Sequence, residues 1–184
     1  SRKEIECIVC VTAQHRQMLD QVLETFKINP NYDLNIMQER QTLAHITSKV
    51  LQGLIDIIND AKPDIILVHG DTTTTFAGSL AAFYNQVDIG HVEAGLRTDD
   101  KYSPFPEEMN RQMVDRVTDL YFAPTIVSKN NLLEEGIDDS KIYVTGNTAI
   151  DAMSTTISSD YYNELFDWIG EDRMILLTAH RREN

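Results

Sequence analysis

Five polar clusters in this sequence carry residue types able to move protons or hold an anion: Gln14-His15-Arg16-Gln17, His69-Gly70-Asp71-Thr72, His91-Val92-Glu93-Ala94-Gly95-Leu96-Arg97-Thr98, Thr145-Gly146-Asn147-Thr148 and Thr178-Ala179-His180-Arg181-Arg182. Asp71 and Glu93 are carboxylates that could take or return a proton. Arg97, Arg181 and Arg182 suit phosphate oxygens, because a guanidinium fork matches them two bonds at a time. Gly70 permits a tight turn, so Asp71 stands where the cap of the next helix would be, and a structural cap is its competing explanation. The same holds for Thr148. Glu93 has no helix start to serve nearby, which favours a functional role. Glu107 and Glu108 follow Pro106 into the first turn of a helix, where the macrodipole favours acids, and Glu107 could pair with Arg111 one turn on.

Two chemistries fit these residues. His69-x-Asp71 and His91-x-Glu93 offer nitrogen and oxygen ligands at neighbouring strand ends, as a metal-dependent hydrolase would. The arginines would repel a cation, however. A phosphate-bearing ligand held by arginines and helix N-termini, beside paired carboxylates, accounts for more of the cluster.

The elements that must position these residues alternate along the chain. Apolar β-branched runs predict strands at 5–13, 65–69, 87–92, 120–123, 142–145 and 174–178, with 34–37 short and irregular or extended. Helical spacing predicts helices at 16–26, 42–61, 73–85, 106–117, 125–135, 147–156 and 161–169. The fold class that follows is α/β, a doubly wound, mostly parallel Rossmann-like sheet with helices on both faces. In such a sheet ligands bind beyond the carboxyl ends of the strands, so the polar clusters are expected to converge on one rim.

With 184 residues and a net charge of −13, the chain is large enough for a core and too acidic for nucleic acid or an anionic membrane surface to be its main partner. No apolar stretch approaches the length of a spanning helix, and no secretory leader is evident, so a cytoplasmic setting is expected. Cys7 and Cys10 form a C-x-x-C inside an apolar run; three residues apart on a strand, their sulfurs diverge, and both are expected as core cysteines. The chain opens without Met and stops just past a strand-like run on His180-Arg181-Arg182-Glu183-Asn184, which suggests a cut at both ends.

The clusters, together with Val11-Thr12-Ala13-Gln14-His15-Arg16-Gln17-Met18-Leu19 and Tyr102-Ser103-Pro104-Phe105-Pro106-Glu107-Glu108-Met109-Asn110-Arg111, resemble in order the bacterial non-hydrolysing UDP-N-acetylglucosamine (UDP-GlcNAc) 2-epimerases over essentially the whole chain. The resemblance implies a two-domain glycosyltransferase-B-like fold, the type shared by UDP-glycosyltransferases and glycogen phosphorylase, with the UDP-sugar between two Rossmann-like halves. It implies interconversion of UDP-GlcNAc and UDP-ManNAc by elimination of UDP to a 2-acetamidoglucal and re-addition, for cell-surface polysaccharide or teichoic-acid synthesis. Neither metal nor nicotinamide cofactor is implied; a cytosolic homodimer is. Matched position by position, Asp71, Glu93, Glu107 and His180 fall on the catalytic positions. Asp71, Glu93, Arg97, His180 and Arg181 are expected to bind substrate. Gln14, Gln17, Arg40, Glu107 and Arg181 match an allosteric site for a second UDP-GlcNAc. The domains expected are 1–148, a Rossmann-like domain without the family's first strand, and 149–184, the beginning of the second, so this chain alone is expected to be inactive. A metal-dependent hydrolase and a non-catalytic sugar-nucleotide sensor on the same fold are the alternatives.

Overall fold

A computed structural model describes residues 4–13, 16–38, 41–158, 160–170 and 172–177. Its elements are β1 (Cys10–Val11), α1 (Arg16–Thr25), β2 (Tyr32–Asp33), α2 (Leu43–Ala61), β3 (Ile65–His69), α3 (Thr73–Tyr84), β4 (Asp88–Val92), α4 (Glu107–Val117), β5 (Leu120–Ala123), α5 (Ile126–Glu134), a 3₁₀ turn (Asp139–Lys141), β6 (Ile142–Val144), α6 (Thr148–Thr156) and α7 (Glu164–Ile169). All strand pairs are parallel. Strands β3, β4, β5 and β6 lie side by side in that order, while β1 and β2 form a separate ladder. The chain divides into two compact units, Ser1–Ala149 and Ile150–Asn184.

Helix α2 has a local reason to start and stop. Thr42 caps α2 by accepting from the His45 amide, and Lys62 ends it in a left-handed conformation just before Pro63. Ile46 and Val50 bury the inner stripe of α2 against Ile36 and Ala77. Helix α3 is made largely of small residues, so Gly78 comes to 3.7 Å from Leu54 of α2 and 3.6 Å from Val68 of β3, measured from where its Cβ would stand. Val68, Ala82, Ile89 and Val114 fill the layer between β3, β4 and α4, and Tyr121, Ala123, Leu132 and Ile142 fill the layer under α5.

The structure shortens two predicted strands, and the reason is pairing. The run at 5–13 is regular only over Cys10–Val11, where it hydrogen-bonds to β2; among the described residues its other edge pairs with nothing. The segment 174–177, predicted as a strand, is irregular and has no ladder partner among the described residues. An isolated extended segment has no stability of its own. Strand β2 falls at Tyr32–Asp33, slightly before the extended piece expected at 34–37.

Cys7, expected in the core, is exposed, and Cys10 is half-buried; both are free thiols. Burial, aided by the Asp33 charge, pushes the Cys10 thiol up to about 11. Near neutral pH, Cys10 is therefore expected to stay unmodified by a thiol reagent under conditions that label Cys7. Peptide mass spectrometry with fragmentation between the two cysteines checks this.

Candidate functional site

Register brings the first two carboxylates together. His69 of β3 pairs with Val92 of β4, so Gly70-Asp71 and Glu93 leave adjacent parallel strands at the same level. Gly70 turns the chain with φ +74° and donates its amide to the Val92 carbonyl at 3.0 Å. The cap of α3 is Thr72, whose hydroxyl accepts from the Thr75 amide at 3.2 Å. Asp71 is thereby released from capping. Its carboxylate instead accepts from Arg111 at 2.6 Å, and its carbonyl from the Asn110 side chain at 2.9 Å.

Glu93 adopts φ +72°, a left-handed conformation that is uncommon outside glycine and is found disproportionately at functional sites. Its amide and that of Ala94 both donate to the Phe122 carbonyl, at 3.0 and 3.2 Å, which anchors the turn to β5. The Glu93 carboxylate is 30 % exposed and lies 3.7 Å from His69 Nε2. One of its oxygens is 3.4 Å from the position a Cβ on Gly70 would occupy. The two carboxylates thus flank one glycine.

Helix α4 supplies the third acidic position. Pro106 precedes it at the cap position, and Glu107 and Glu108 form its first turn. Glu108 is buried and belongs to the scaffold: it accepts from the Thr98 amide at 3.1 Å and from Gln112 at 2.7 Å, and meets Arg111 at 3.3 Å. The routine Glu107–Arg111 pair is not formed, since Arg111 serves Asp71 and Glu108. Glu107 is half-buried, and its side chain has no bonding partner among the described residues.

Burial alone would raise the Glu108 carboxyl, but hydrogen bonds from Gln112 and Thr98 and the Arg111 charge outweigh it and hold it below its ordinary value. A carboxylate whose folded pKa is depressed adds stability above its unfolded pKa and loses it as pH falls through the folded one. Urea midpoints measured down the acid range are therefore expected to fall below about pH 4.5, and to fall less steeply in Glu108→Gln.

Arg97, expected to bind phosphate, is engaged elsewhere. Its side chain is 5 % exposed and donates to Asp115 at 2.8 Å and to Glu135 at 2.6 and 3.0 Å. Burial works against its charge, but the bonds to Glu135 and Asp115 outweigh that and raise its pKa. Glu135, at the C-terminal end of α5, is this arginine's partner. Asp115 also accepts from the Gly95 amide at 3.2 Å and faces His91 Nδ1 at 2.6 Å. His91 is fully buried with its Nε2 on the Gly70 carbonyl, so it does not join His69 and Glu93 as a metal ligand, and no group of three or more His, Cys, Asp or Glu among the described residues is arranged to hold a metal ion.

Gln17 lies exposed on α1. Gln14, Arg40, His180 and Arg181 lie outside the described residues. Sequence reasoning paired Arg111 with the wrong carboxylate and passed over Asn110, Asp115 and the interior role of His91. The available signal was the spacing of Glu108, Arg111 and Asp115, which puts three charged residues on one face of α4.

A family profile described as UDP-N-acetylglucosamine 2-epimerase matches residues 1–184. The UDP-N-acetylglucosamine 2-epimerase of Bacillus subtilis is 66 % identical over 181 residues, covering 98 % of this chain and 48 % of that protein. A Staphylococcus aureus structure solved with UDP superposes with TM-score 0.92 at 58 % identity, over 100 % of this chain and 48 % of its own. The Neisseria meningitidis UDP-GlcNAc 2-epimerase bound to UDP-GlcNAc superposes with TM-score 0.81 at 56 % identity, over 84 % and 42 %. The chain spans about half the length of the curated relatives it matches. Its parallel α/β architecture is that of these glycosyltransferase-B-like enzymes. On sequence and structure alike, the chain belongs to the UDP-N-acetylglucosamine 2-epimerase family.

Proposed function

We propose that the full-length polypeptide carrying this chain interconverts UDP-GlcNAc and UDP-ManNAc. The observation that carries this reading is the pair of carboxylates flanking Gly70, Asp71 and Glu93, neither of them used as a helix cap. Inversion at C2 needs one group to remove a proton from one face and another to return it to the opposite face. Asp71, Glu93 and the half-buried Glu107 meet that requirement in number and type. Departing UDP needs donors or cations at the diphosphate, a role assigned to His180 and Arg181. Arg97, tied to Asp115 and Glu135, is left to the scaffold.

The reaction is then elimination of UDP across C1 and C2 to a 2-acetamidoglucal, followed by re-addition with the proton delivered to the other face. Residues 149–184 begin the second Rossmann-like domain in this reading. Gln14, Gln17, Arg40, Glu107 and Arg181 would take a second UDP-GlcNAc as activator, and the enzyme would work as a cytoplasmic homodimer in surface-polysaccharide synthesis. Among the described residues no helix is long and apolar enough to cross a membrane.

The full-length polypeptide, incubated with UDP-GlcNAc and followed by proton NMR, is expected to form UDP-ManNAc and to continue unchanged after dialysis against a chelator. Loss of turnover on chelation would point to a metal-dependent enzyme. Binding without conversion would point to a sensor.

A further inference from the structure

We propose that His91 is a positioning residue for Asp71, acting through the Gly70 carbonyl and held in place by Asp115; its kinetic test rests on the epimerase reading above. His91 sits inside β4, fully buried, in register with Val68. Its Nε2 is 2.8 Å from the Gly70 carbonyl and its Nδ1 is 2.6 Å from an Asp115 oxygen. A carbonyl can only accept. Asp115 also accepts from the Gly95 amide and from Arg97. Nε2 of His91 therefore donates to Gly70, and Nδ1 is committed to Asp115.

An apolar side chain could fill this space without burying polar atoms, so two committed nitrogens call for a further explanation. The turn they act on supplies one. Gly70 has no side chain to fix its left-handed conformation, and the peptide groups on either side of its Cα are both held by β4: its N–H by the Val92 carbonyl and its C=O by His91. The next residue, Asp71, is held from α4 through Asn110 and Arg111. Asp115 follows Arg111 by one turn of that helix, so a single face of α4 fixes the turn directly at Asp71 and indirectly, through His91, at Gly70. Loss of the His91 bond would free the Gly70–Asp71 peptide to rotate, loosening the turn at Gly70 and swinging the Asp71 carboxylate with it.

The test compares His91→Asn, whose amide reaches Asp115 as Nδ1 does, with His91→Gln, whose longer amide reaches the Gly70 carbonyl as Nε2 does. Both are made in the full-length polypeptide and assayed at a temperature where circular dichroism shows them folded. His91→Asn is expected to lose about 10- to 100-fold in kcat with KM changed by less than about threefold, and His91→Gln to retain most of the activity. Hydrogen exchange of the Gly70 amide is expected to accelerate by about tenfold or more in His91→Asn and to stay near wild type in His91→Gln. Equal kcat and equal exchange in the two variants would overturn the proposal. A wild-type protein that binds UDP-GlcNAc without converting it would count against the epimerase reading instead, and the exchange contrast would then decide the positioning role by itself.

Discussion

Gly95→Ala is expected to destabilise the first unit by more than about 4 kcal/mol, enough to leave little folded protein in a domain of ordinary stability. Gly95 turns the chain out of β4 with φ +83°, and a Cβ there would lie 2.2 Å from the Ser128 carbonyl oxygen and 2.9 Å from Leu132 Cγ. The nearest obstacle is backbone of α5, which cannot rotate aside. Leu132 itself is fully buried in the core layer under that helix. Retreat of Gly95 is also blocked, because its amide donates to Asp115 and its carbonyl accepts from Asn131. Gly136→Ala is the matched control: its φ is +86° and a Cβ there would meet nothing within 4 Å. That variant carries only the conformational cost of a left-handed L-residue, about 1–2 kcal/mol. Urea denaturation of the pair separates close approach from backbone strain, and equal losses would contradict the packing described around Gly95.

Asp71→Asn and Glu93→Gln, made in the full-length polypeptide, are each expected to lower kcat by about 10² to 10⁴-fold, the range set by removing a positioned acid or base. Neither exchange changes side-chain size appreciably. Asp71→Asn also weakens a charge-assisted bond to Arg111, at a cost of about 1–3 kcal/mol, well short of the collapse expected for Gly95→Ala. Glu93 is 30 % exposed and among the described residues its carboxylate pairs only with His69, at 3.7 Å, so Glu93→Gln is expected to unfold within about 1 kcal/mol of wild type. Activity lost with the fold intact is the signature sought. Near-normal turnover by either variant would remove that carboxylate from the reaction.

The parallel α/β plan was legible because strands such as Ile65–His69 read as continuous apolar runs, and because helical spacing begins where Thr42 and Thr125 cap α2 and α5. The position of Asp71 and Glu93 at adjacent strand ends followed from the same plan. Other features were hidden by what sequence patterns do not encode. A β-branched run at 5–13 has strand propensity along its length, but ladder formation depends on a neighbour, and among the described residues the backbone bonds to the segment around β2 reach only from Val9 to Thr12. Arg97 beside Asp99-Asp100 looked like a free rim cation, whereas its partners are Asp115 and Glu135, eighteen and thirty-eight residues away. His91 looked like a ligand at a strand end. Strand alternation alone does not reveal that its ring points to Asp115 of α4 and the Gly70 carbonyl. Asp71 was ambiguous between cap and catalyst until Thr72 was seen to cap α3.

The central claim is that carboxylates at these strand ends exchange the C2 proton of a UDP-sugar. Incubation of the full-length polypeptide with UDP-GlcNAc in deuterated water, followed by mass spectrometry and proton NMR of the recovered nucleotide sugars, tests it most directly. The expected result is UDP-ManNAc carrying deuterium at C2, with deuterium entering the C2 position of UDP-GlcNAc as equilibrium is approached, and both signals absent in Asp71→Asn and Glu93→Gln. Conversion without incorporation of solvent deuterium, or incorporation that survives both substitutions, would contradict the account.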